Sequence, residues 1–267
     1  MIPQTLSTGT QGTAPPMSAM SVSRSTLEPM TLQYSRVGLD PEFVGYEAGW
    51  DLQRELHAGV VAGTAPSTVL LLEHEAVYTA GRRTEDHERP FDGTPVVAVD
   101  RGGKLTWHGP GQLVGYPILA LPEPTRVTGY VAILEDVIIA VLRDYGIPGI
   151  RIDGRSGVWV AADERGPDRK IAAIGIRINR RVTMHGFAVN CSNDLGPFAQ
   201  IVPCGISDAG VTTISAEAGR SVTPSDIVSR IEDELRKNEP LLVAGTAVDV
   251  SPASTVNPAG ISRPEGA

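Results

Sequence analysis

Alternating and helical patterns of apolar residues divide the central part of the chain into strands and helices. Four strand-like runs come first, at TLQYSRVGL (31–39), STVLLLEH (67–74), PVVAVDRGG (95–103) and QLVGYPILAL (112–121). Three more, RSGVWVAA, RKIAAIGIRI and VTMHGFAVN, follow in the second half and are spaced like hairpins. Strands mixed with helices in this order predict a single α+β domain.

Three helices are predicted. The clearest covers residues 127–146, where apolar side chains recur at helical spacing and Gly146 is placed to end the helix. An earlier helix is predicted to open at Asp40-Pro41, with the aspartate as N-cap and the proline in the first turn. A last helix is predicted to open at Thr223, where a capping-box pattern occurs.

Composition changes at both ends of the chain. Residues 1–30 are rich in Ser, Thr, Met, Gln and Pro and predict a disordered leader, and residues 243–267 predict a flexible tail for the same reason. Residues 31–242 are therefore expected to form one catalytic domain, a size that buries a full core without metals or disulfides. No apolar run reaches the roughly 18 residues that span a bilayer, so no membrane association is expected.

Charge and cysteine content exclude several classes of function. The net charge of −8 argues against nucleic-acid binding, which needs a basic surface to offset phosphate. The two cysteines, Cys191 and Cys204, show no CxxC or Cys/His ligand spacing, which argues against a zinc site. Two thiols without a secretion signal fit the reducing cytoplasm, although a single disulfide between them is the alternative.

A glycine-rich segment, residues 101–112, has the composition of a binding-site wall, because glycine lets backbone approach a ligand closely. The alternative is an ordinary tight turn between strands. The segment has neither GxxxxGK[ST] nor GxGxxG spacing, so it does not predict a phosphate loop. For its histidine, His108, a structural or substrate-contacting role is expected rather than a catalytic one.

Lys170 and Cys204 are candidates for reactive groups. The chain has only three lysines, Lys104, Lys170 and Lys237, and Lys170 begins an apolar strand. An inward-pointing amine there would be partly desolvated, which favours its neutral form, whereas the segment alone favours a solvated lysine at a strand edge. Pro203 and Gly205 on either side of Cys204 predict a tight, exposed bend, whereas Cys191 has no such neighbours and resembles a core residue. By spacing alone, an inert buried thiol is the more common role for either cysteine.

The order of these segments resembles the lipoyl(octanoyl) transferase family, also called octanoyl-[acyl-carrier-protein]:protein octanoyltransferase. The matching pieces are STVLLLEHEAVYTAGRR, DRGGKLTWHGPGQLVGYPIL, GVWV, RKIAAIGIRI, VTMHGFAVN and IVPCGI, which cover about residues 67–206. The chain departs from the family at Trp107, where tyrosine is more common, and at residues 74–76, where a proline-containing stretch is more common. Neither departure touches an implied catalytic residue.

The resemblance implies a fold and a set of site residues. The implied fold is that of biotin and lipoate protein ligases, a mixed sheet with helices on one side and a smaller sheet alongside. Cys204 and Lys170 fall on the family's catalytic pair. The implied substrate-binding residues are Arg101, Gly102, Gly103, Lys104, Leu105, Thr106, Trp107, His108, Ala173, Ile174, Gly175, Gly186, Phe187 and Ala188.

The resemblance also implies a reaction and its partners. The donor would be octanoyl-acyl carrier protein. The acceptors would be the lipoyl domains of 2-oxoacid dehydrogenase E2 subunits and the glycine cleavage H protein. Transfer would run through a cysteine acyl-enzyme without ATP, cofactor or metal. A monomer is expected by default, not from the resemblance. Arginines in these segments, among them Arg83, Arg180 and Arg181, would dock the acidic carrier protein, or else be solvated charges.

Three other functions are compatible with the same motifs. An ATP-dependent lipoate- or biotin-protein ligase on this fold would activate its acid as an adenylate and need no nucleophilic cysteine. A non-catalytic module would bind acyl groups or lipoyl domains without forming a covalent adduct. A thioesterase-like hydrolase would use water in place of the acceptor lysine.

Overall fold

The computed structural model describes residues 32–90, 94–124, 126–201 and 209–244. The predicted leader and the predicted tail, apart from residues 243 and 244, lie outside these ranges, and so does Cys204. The strands are, in chain order, β1 (Gln33–Gly38), β2 (Thr68–Leu72), β3 (Val77–Ala80), β4 (Val96–Ala98), β5 (Leu105–His108), β6 (Gln112–Ile118), β7 (Gly149–Ile152), β8 (Arg155–Val160), β9 (Arg169–Asn179), β10 (Val182–Asn190) and β11 (Gly210–Val211). The α-helices are α1 (Tyr46–Ala62), α2 (Val127–Arg143), α3 (Ile214–Ala218), α4 (Pro224–Lys237) and α5 (Glu239–Leu242).

The described strands form a large mixed sheet and a small one. In the large sheet the order is β1-β2-β6-β10-β9-β8-β7, and β11 pairs with β9. The β1–β2 and β9–β11 pairs are parallel and the others antiparallel, whereas the small sheet has the order β4-β3-β5. The predicted α+β class, with a mixed main sheet and a smaller second sheet, is confirmed.

The two faces of the large sheet pack against different elements, because side chains alternate along a strand. Val69 and Leu71 of β2 join α2 and α4 in the largest apolar cluster, whereas Leu70 and Leu72 face α1. The small sheet lies on the α1 side, where the backbone N–H of Gly102 donates to the carbonyl of Ile176 at 2.9 Å. The helices are thus shared between the two faces rather than gathered on one.

The first helix starts later than predicted. Asp40 and Pro41 lie in a turn, in which the backbone N–H of Asp40 donates to the Glu73 carboxylate at 3.0 Å. Val44 then forms a bridge with His74 beside the sheet, and α1 begins only at Tyr46. Backbone and carboxylate partners supplied by residues 73–75 hold this stretch out of the helix, so the predicted N-cap at Asp40 is wrong.

The other two helices agree with the sequence. Helix α2 begins at Val127 and ends at Arg143, and Gly146 follows with a φ of +71°, the left-handed conformation that glycine adopts at no steric cost. At α4 the predicted capping box is present, because the Asp226 carboxylate accepts from both the backbone N–H and the hydroxyl of Thr223. The two helices pack together against the large sheet.

Candidate active site

The two small-residue segments predicted to bind substrate lie side by side. Residues 173–175 of β9 and 186–188 of β10 are directly paired across the antiparallel ladder. The side chains of Ile174 and Phe187 point to the helix side, where they join the main core. Because side chains alternate, the other face of this patch carries only alanine and glycine. The strands therefore form a shallow floor with space above it.

A cavity of about 210 Å³ lies between this floor and the small sheet. Lys170 lines it, together with most of the predicted substrate-binding residues. These are Arg101, Gly103, Lys104, Thr106, His108, Ala173, Ile174, Gly175, Gly186, Phe187 and Ala188. Gly102, Leu105 and Trp107 are not part of the lining.

Strand alternation in β5 separates the predicted residues into two sets. Thr106 and His108 face the cavity. Leu105 and Trp107 face the other way, into a cluster that also contains Phe198, whose ring lies 5.8 Å from that of Trp107. The glycine-rich segment is therefore part strand and part turn, and only alternate side chains of the strand reach the cavity.

The buried guanidinium of Arg101 holds the first turn of the segment against the small sheet. It donates to the carbonyls of Lys104 at 2.8 Å and Thr79 at 2.9 Å. Gly175 on the floor faces this side chain, and a Cβ there would lie 3.1 Å from Arg101 Cδ. The absence of a side chain at Gly175 thus allows the two sheets to approach each other at this end of the cavity.

Lys170 is buried, with 8% of its surface exposed, so the solvated position favoured by its own segment is not found. Its strand position lies between β8 and β11, where it pairs with Trp159 on one side and Val211 on the other. Its Nζ atom lies 4.6 Å from the centroid of the Trp159 ring. In the described ranges, no carboxylate lies within ion-pairing distance of this amine. Lys170 is therefore a buried cation that faces an aromatic ring.

A second cavity of about 20 Å³ adjoins the first at Lys170. The two share Thr106, Lys170 and Ala173. Its remaining walls come from Phe198 and Val211, which precede and follow residues 202–208, and from Gln112 and Asn190. Lys170 thus lies at the junction of the two cavities.

The inner part of the larger cavity carries aromatic and histidine side chains that the sequence did not single out. Tyr46 of α1 stacks on His108 with 6.3 Å between ring centroids and 8° between planes. The hydroxyl of Tyr116 donates to Nε2 of His74 at 2.7 Å, and Nδ1 of His74 donates to the Val44 carbonyl at 2.8 Å. Tyr46 of α1 and Tyr116 of β6 line the cavity, and His74 lies behind them, outside the lining.

These histidines are held in the neutral form. Burial lowers the pKa of His74 to about 4 and that of His108 to about 3. His108 donates from Nδ1 to Oε1 of Gln112 at 2.7 Å, and Gln112 donates in turn to Asn190. Burial also lowers the pKa of His185, against the opposing effect of Asp100, whose carboxylate accepts from Nε2 at 2.9 Å. Neutral rings at this end suit an uncharged ligand.

The two cysteines differ in what the structure describes. Cys191 is fully buried in the main core, and burial raises the pKa of its thiol far above the ordinary value. That environment agrees with the packing role predicted for it. Cys204 belongs to residues 202–208, which lie outside the described ranges, so its assignment as the nucleophile stays a prediction.

Several residues of the cavity wall were missed by the sequence analysis. They are Tyr46, Arg83, Val114, Tyr116, Gly154, Arg155, Ser156 and His185. Alternation along β6 would have indicated Val114 and Tyr116 together, since they lie two residues apart. Alternation along β10 would have put His185 on the helix side with Phe187, and its φ of +56° breaks that pattern. Tyr46 and residues 154–156 come from separate elements that only the tertiary fold brings to the cavity.

Two classes of site are not found among residues 32–90, 94–124, 126–201 and 209–244. No group of three or more His, Cys, Asp or Glu side chains is placed to hold a metal ion. None of the helices in these ranges combines the length and the apolar character needed to cross a bilayer.

Comparison with known proteins identifies relatives along most of the chain. The profile of the lipoyl protein ligase A/B catalytic domain matches residues 45–236. An octanoyltransferase of Arthrobacter sp. (strain FB24) is 67% identical over 215 residues, which are 80% of this chain and 97% of that protein. An octanoyltransferase of Mycobacterium avium (strain 104) is 57% identical over 206 residues, 76% of this chain and 88% of that one.

Solved structures with the same fold are more distant. P. falciparum LipL1 in complex with lipoate superposes with a TM-score of 0.55 at 12% identity, covering 78% of this chain and 62% of that one. The T. acidophilum protein Ta0514 with bound lipoic acid gives a TM-score of 0.54 at 9% identity and covers 78% of this chain and 85% of that one. At these identities the matches support the fold alone.

Proposed function

Since this chain belongs to the octanoyltransferases of the lipoyl protein ligase A/B catalytic-domain family, and is thus an acyltransferase, we propose its substrates and its nucleophile. The donor is octanoyl-acyl carrier protein, and the acceptor is a lysine of a lipoyl domain. The acyl group passes through a thioester on Cys204. The acceptors include the lipoyl domains of 2-oxoacid dehydrogenase E2 subunits and the glycine cleavage H protein.

The observation that carries this proposal is the cavity with Lys170 at its end. Its floor of alanine and glycine and its neutral inner wall suit an unbranched alkyl chain, which needs space and offers no polar group. Lys170, the one lysine of the three that is almost fully buried, lies where a carbonyl group at the head of that chain would react. The cavity thus places a buried lysine beside an uncharged floor and inner wall.

The assignment of Cys204 rests on elimination and on chain connectivity. Cys191 is enclosed in the core with a raised thiol pKa, which suits neither access nor ionisation. Val211, seven positions after Cys204 in the sequence, pairs directly with Lys170. The proposed mechanism needs Cys204 as a reduced thiol, which is consistent with a cytoplasmic enzyme.

The first half-reaction acylates the enzyme. The Lys170 ammonium favours the Cys204 thiolate, which attacks the carbonyl carbon of the donor thioester. A carbon–sulfur bond to Cys204 forms and the bond to the carrier's sulfur breaks. The leaving thiolate takes a proton from the Lys170 ammonium, which leaves Lys170 as the neutral amine. The alkyl chain lies along the floor formed by β9 and β10, which orients the carbonyl towards Lys170.

The second half-reaction transfers the acyl group to the acceptor. The neutral amine of the lipoyl-domain lysine attacks the acyl-enzyme carbonyl, and an amide bond forms as the Cys204 thiolate leaves. The attacking nitrogen loses a proton, which neutral Lys170 accepts. The proton count balances over the two steps, and the stability of the amide relative to the thioester drives transfer without ATP.

Intact-mass measurement after mixing the protein with octanoyl-carrier protein tests the proposal. The wild-type protein and Cys191→Ala should gain the mass of one octanoyl group without ATP, and Cys204→Ala should not. Adding a lipoyl domain should then discharge the adduct and label one acceptor lysine. Equal labelling of the two cysteine variants would remove Cys204 as nucleophile. Transfer that needs ATP and survives in Cys204→Ser would indicate an adenylate-forming ligase instead.

A further inference from the structure

A buried carboxylate that the proposed mechanism does not use lies behind Lys170. Glu135, on α2, is only 6% exposed although its neighbour Asp136 is largely exposed. Its Oε1 atom accepts the backbone N–H of Gly157 at 2.9 Å, and its Oε2 atom lies 3.4 Å from Nε of Arg151. Burying a carboxylate is costly unless its charge is compensated, so this placement calls for an explanation.

Gly157 connects the carboxylate to the lysine. It has a φ of +110°, and an added Cβ would collide with the carbonyl oxygen of Ala172. The same Cβ would lie 3.5 Å from Cε of Lys170, so the aliphatic part of the lysine passes over this glycine. The backbone that Glu135 fixes is thus the surface on which the Lys170 side chain rests.

The β8–β9 register breaks at the same place. A shift occurs between Val158 and Trp159, after which Trp159 pairs with Lys170 and its ring faces the amine. The Gly157 amide that Glu135 accepts lies immediately before this irregularity. Glu135 therefore anchors the irregular backbone that turns the Trp159 ring to the Lys170 amine, and residues 154–156, which precede that backbone, line the cavity.

The charge of Lys170 is also felt at Glu135. Burial raises the pKa of Glu135, whereas the Gly157 amide and the positive charges of Arg151 and Lys170 act to lower it. Apart from Lys170, the ionisable groups that line the cavity are of two kinds. Four are cationic, namely Arg83, Arg101, Lys104 and Arg155, and four are neutral, namely Tyr46, Tyr116, His108 and His185. The nearby cation Arg169 is paired with Asp163 and Glu217.

We propose that Glu135 is a positioning residue for Lys170. Through Gly157 it fixes the backbone that supports the lysine side chain, and it supplies the buried negative charge that stabilises the Lys170 ammonium. The reactive lysine is thereby kept charged although it is enclosed and although three arginines line the same cavity. The inference rests on the proposed function of Lys170 but concerns a physical property of that side chain that can be measured by itself.

The test compares Glu135→Gln with Asp136→Asn. The first keeps an oxygen for the Gly157 N–H and removes the charge, and the second removes an exposed charge on the same helix that pairs with the same arginine, Arg151. Heteronuclear NMR of isotope-labelled lysine follows Lys170 directly, because Lys104→Arg and Lys237→Arg leave one signal. The midpoint of its titration should move to lower pH by about half a unit or more in Glu135→Gln. It should stay in place in Asp136→Asn.

A rate measurement then connects this property to the reaction. In single-turnover acylation, the alkaline limb of the pH profile should move to lower pH in Glu135→Gln by the same amount as the NMR midpoint. An unchanged midpoint in a folded Glu135→Gln protein overturns the inference, as does an equal shift in Asp136→Asn. A wild-type protein that forms no acyl adduct would contradict the proposed function, while the NMR result would still decide the role of Glu135.

Discussion

The Nζ atom of Lys170 lies 4.6 Å from the centroid of the Trp159 indole ring. The two residues are direct partners in the β8–β9 ladder, and both are buried. The face of an indole attracts a cation, and enclosure from water strengthens that attraction. Trp159 therefore favours the charged form of the lysine at the site where the proposed reaction needs a cation beside a thiolate.

Replacing Trp159 by leucine should slow acylation. The change keeps an apolar side chain and removes the ring face, a loss of about 0.5–2 kcal/mol, which corresponds to roughly a 2- to 30-fold slower reaction at neutral pH. Single-turnover formation of the octanoyl adduct measures it, and Trp159→Phe should fall between leucine and wild type. Trp107→Phe, an equally buried indole on the outer face of the small sheet, serves as control. Equal losses in Trp107→Phe and Trp159→Phe would contradict a specific cation–ring contact.

Enlarging a floor residue should change the preferred acyl length. Ala173→Val places two more methyl groups in the cavity, so transfer of octanoyl should fall more than transfer of a short acyl group such as butanoyl. The ratio of kcat/KM for the two donors measures this. Ile138→Val, in the main core on α2 and outside the cavity lining, should cost about 1 kcal/mol of stability and leave the ratio unchanged. A ratio that moves equally in both variants would exclude this floor as the acyl site.

His74 should make the folded protein sensitive to acid. Its folded-state pKa of about 4 lies below the unfolded value of about 6.5, so the unfolded chain binds more protons between these limits. Stability from this group is present above pH 6.5 and is lost as pH falls, by about 2 kcal/mol between pH 7 and pH 5. Urea unfolding at the two pH values should show a smaller pH effect in His74→Gln. The exposed His87, changed to Gln, should leave the wild-type dependence intact.

Affinity for octanoyl-carrier protein should depend on Arg83, at the cavity, rather than on the turn between β9 and β10. Arg83 is exposed and lines the cavity. Arg180 and Arg181 form the β9–β10 turn, roughly 30 Å along the strand from Lys170, and Arg181 is paired with Glu123. Arg83→Glu should therefore weaken binding of octanoyl-carrier protein about threefold or more at low salt, with a smaller effect at high salt. Equal or greater weakening in Arg180→Glu/Arg181→Glu would place the docking surface at the hairpin.

The sequence predicted those elements whose cause is local. The apolar periodicity of α2, the capping box at Thr223 and the strand runs each depend on neighbouring residues, and the structure has all of them. The start of α1 was missed because it is decided by the distant Glu73, whose carboxylate and carbonyl hold the backbone of residues 40–44. A local N-cap pattern cannot outweigh partners supplied from another part of the chain.

The candidate site shows the same division. Motif resemblance indicated the segments on β5, β9 and β10, but not which side chains in them face the cavity. Leu105 and Trp107 were included with Thr106 and His108 although alternation turns them to opposite sides. Glu135 gave no signal at all, because a single glutamate on an amphipathic helix is usually solvated, and only the packing of α2 on β8 encloses it.

The cavity has its floor in one sheet and its roof in another, which affects how it responds to compression. Hydrogen bonds between strands fix the distance between neighbouring strands within each sheet. The gap between the two sheets depends instead on side-chain contacts and on the backbone hydrogen bond from Gly102 to Ile176. Pressure acts first on internal empty space. Hydrostatic pressure should therefore narrow the acyl site while both sheets persist, so that activity declines before the fold does.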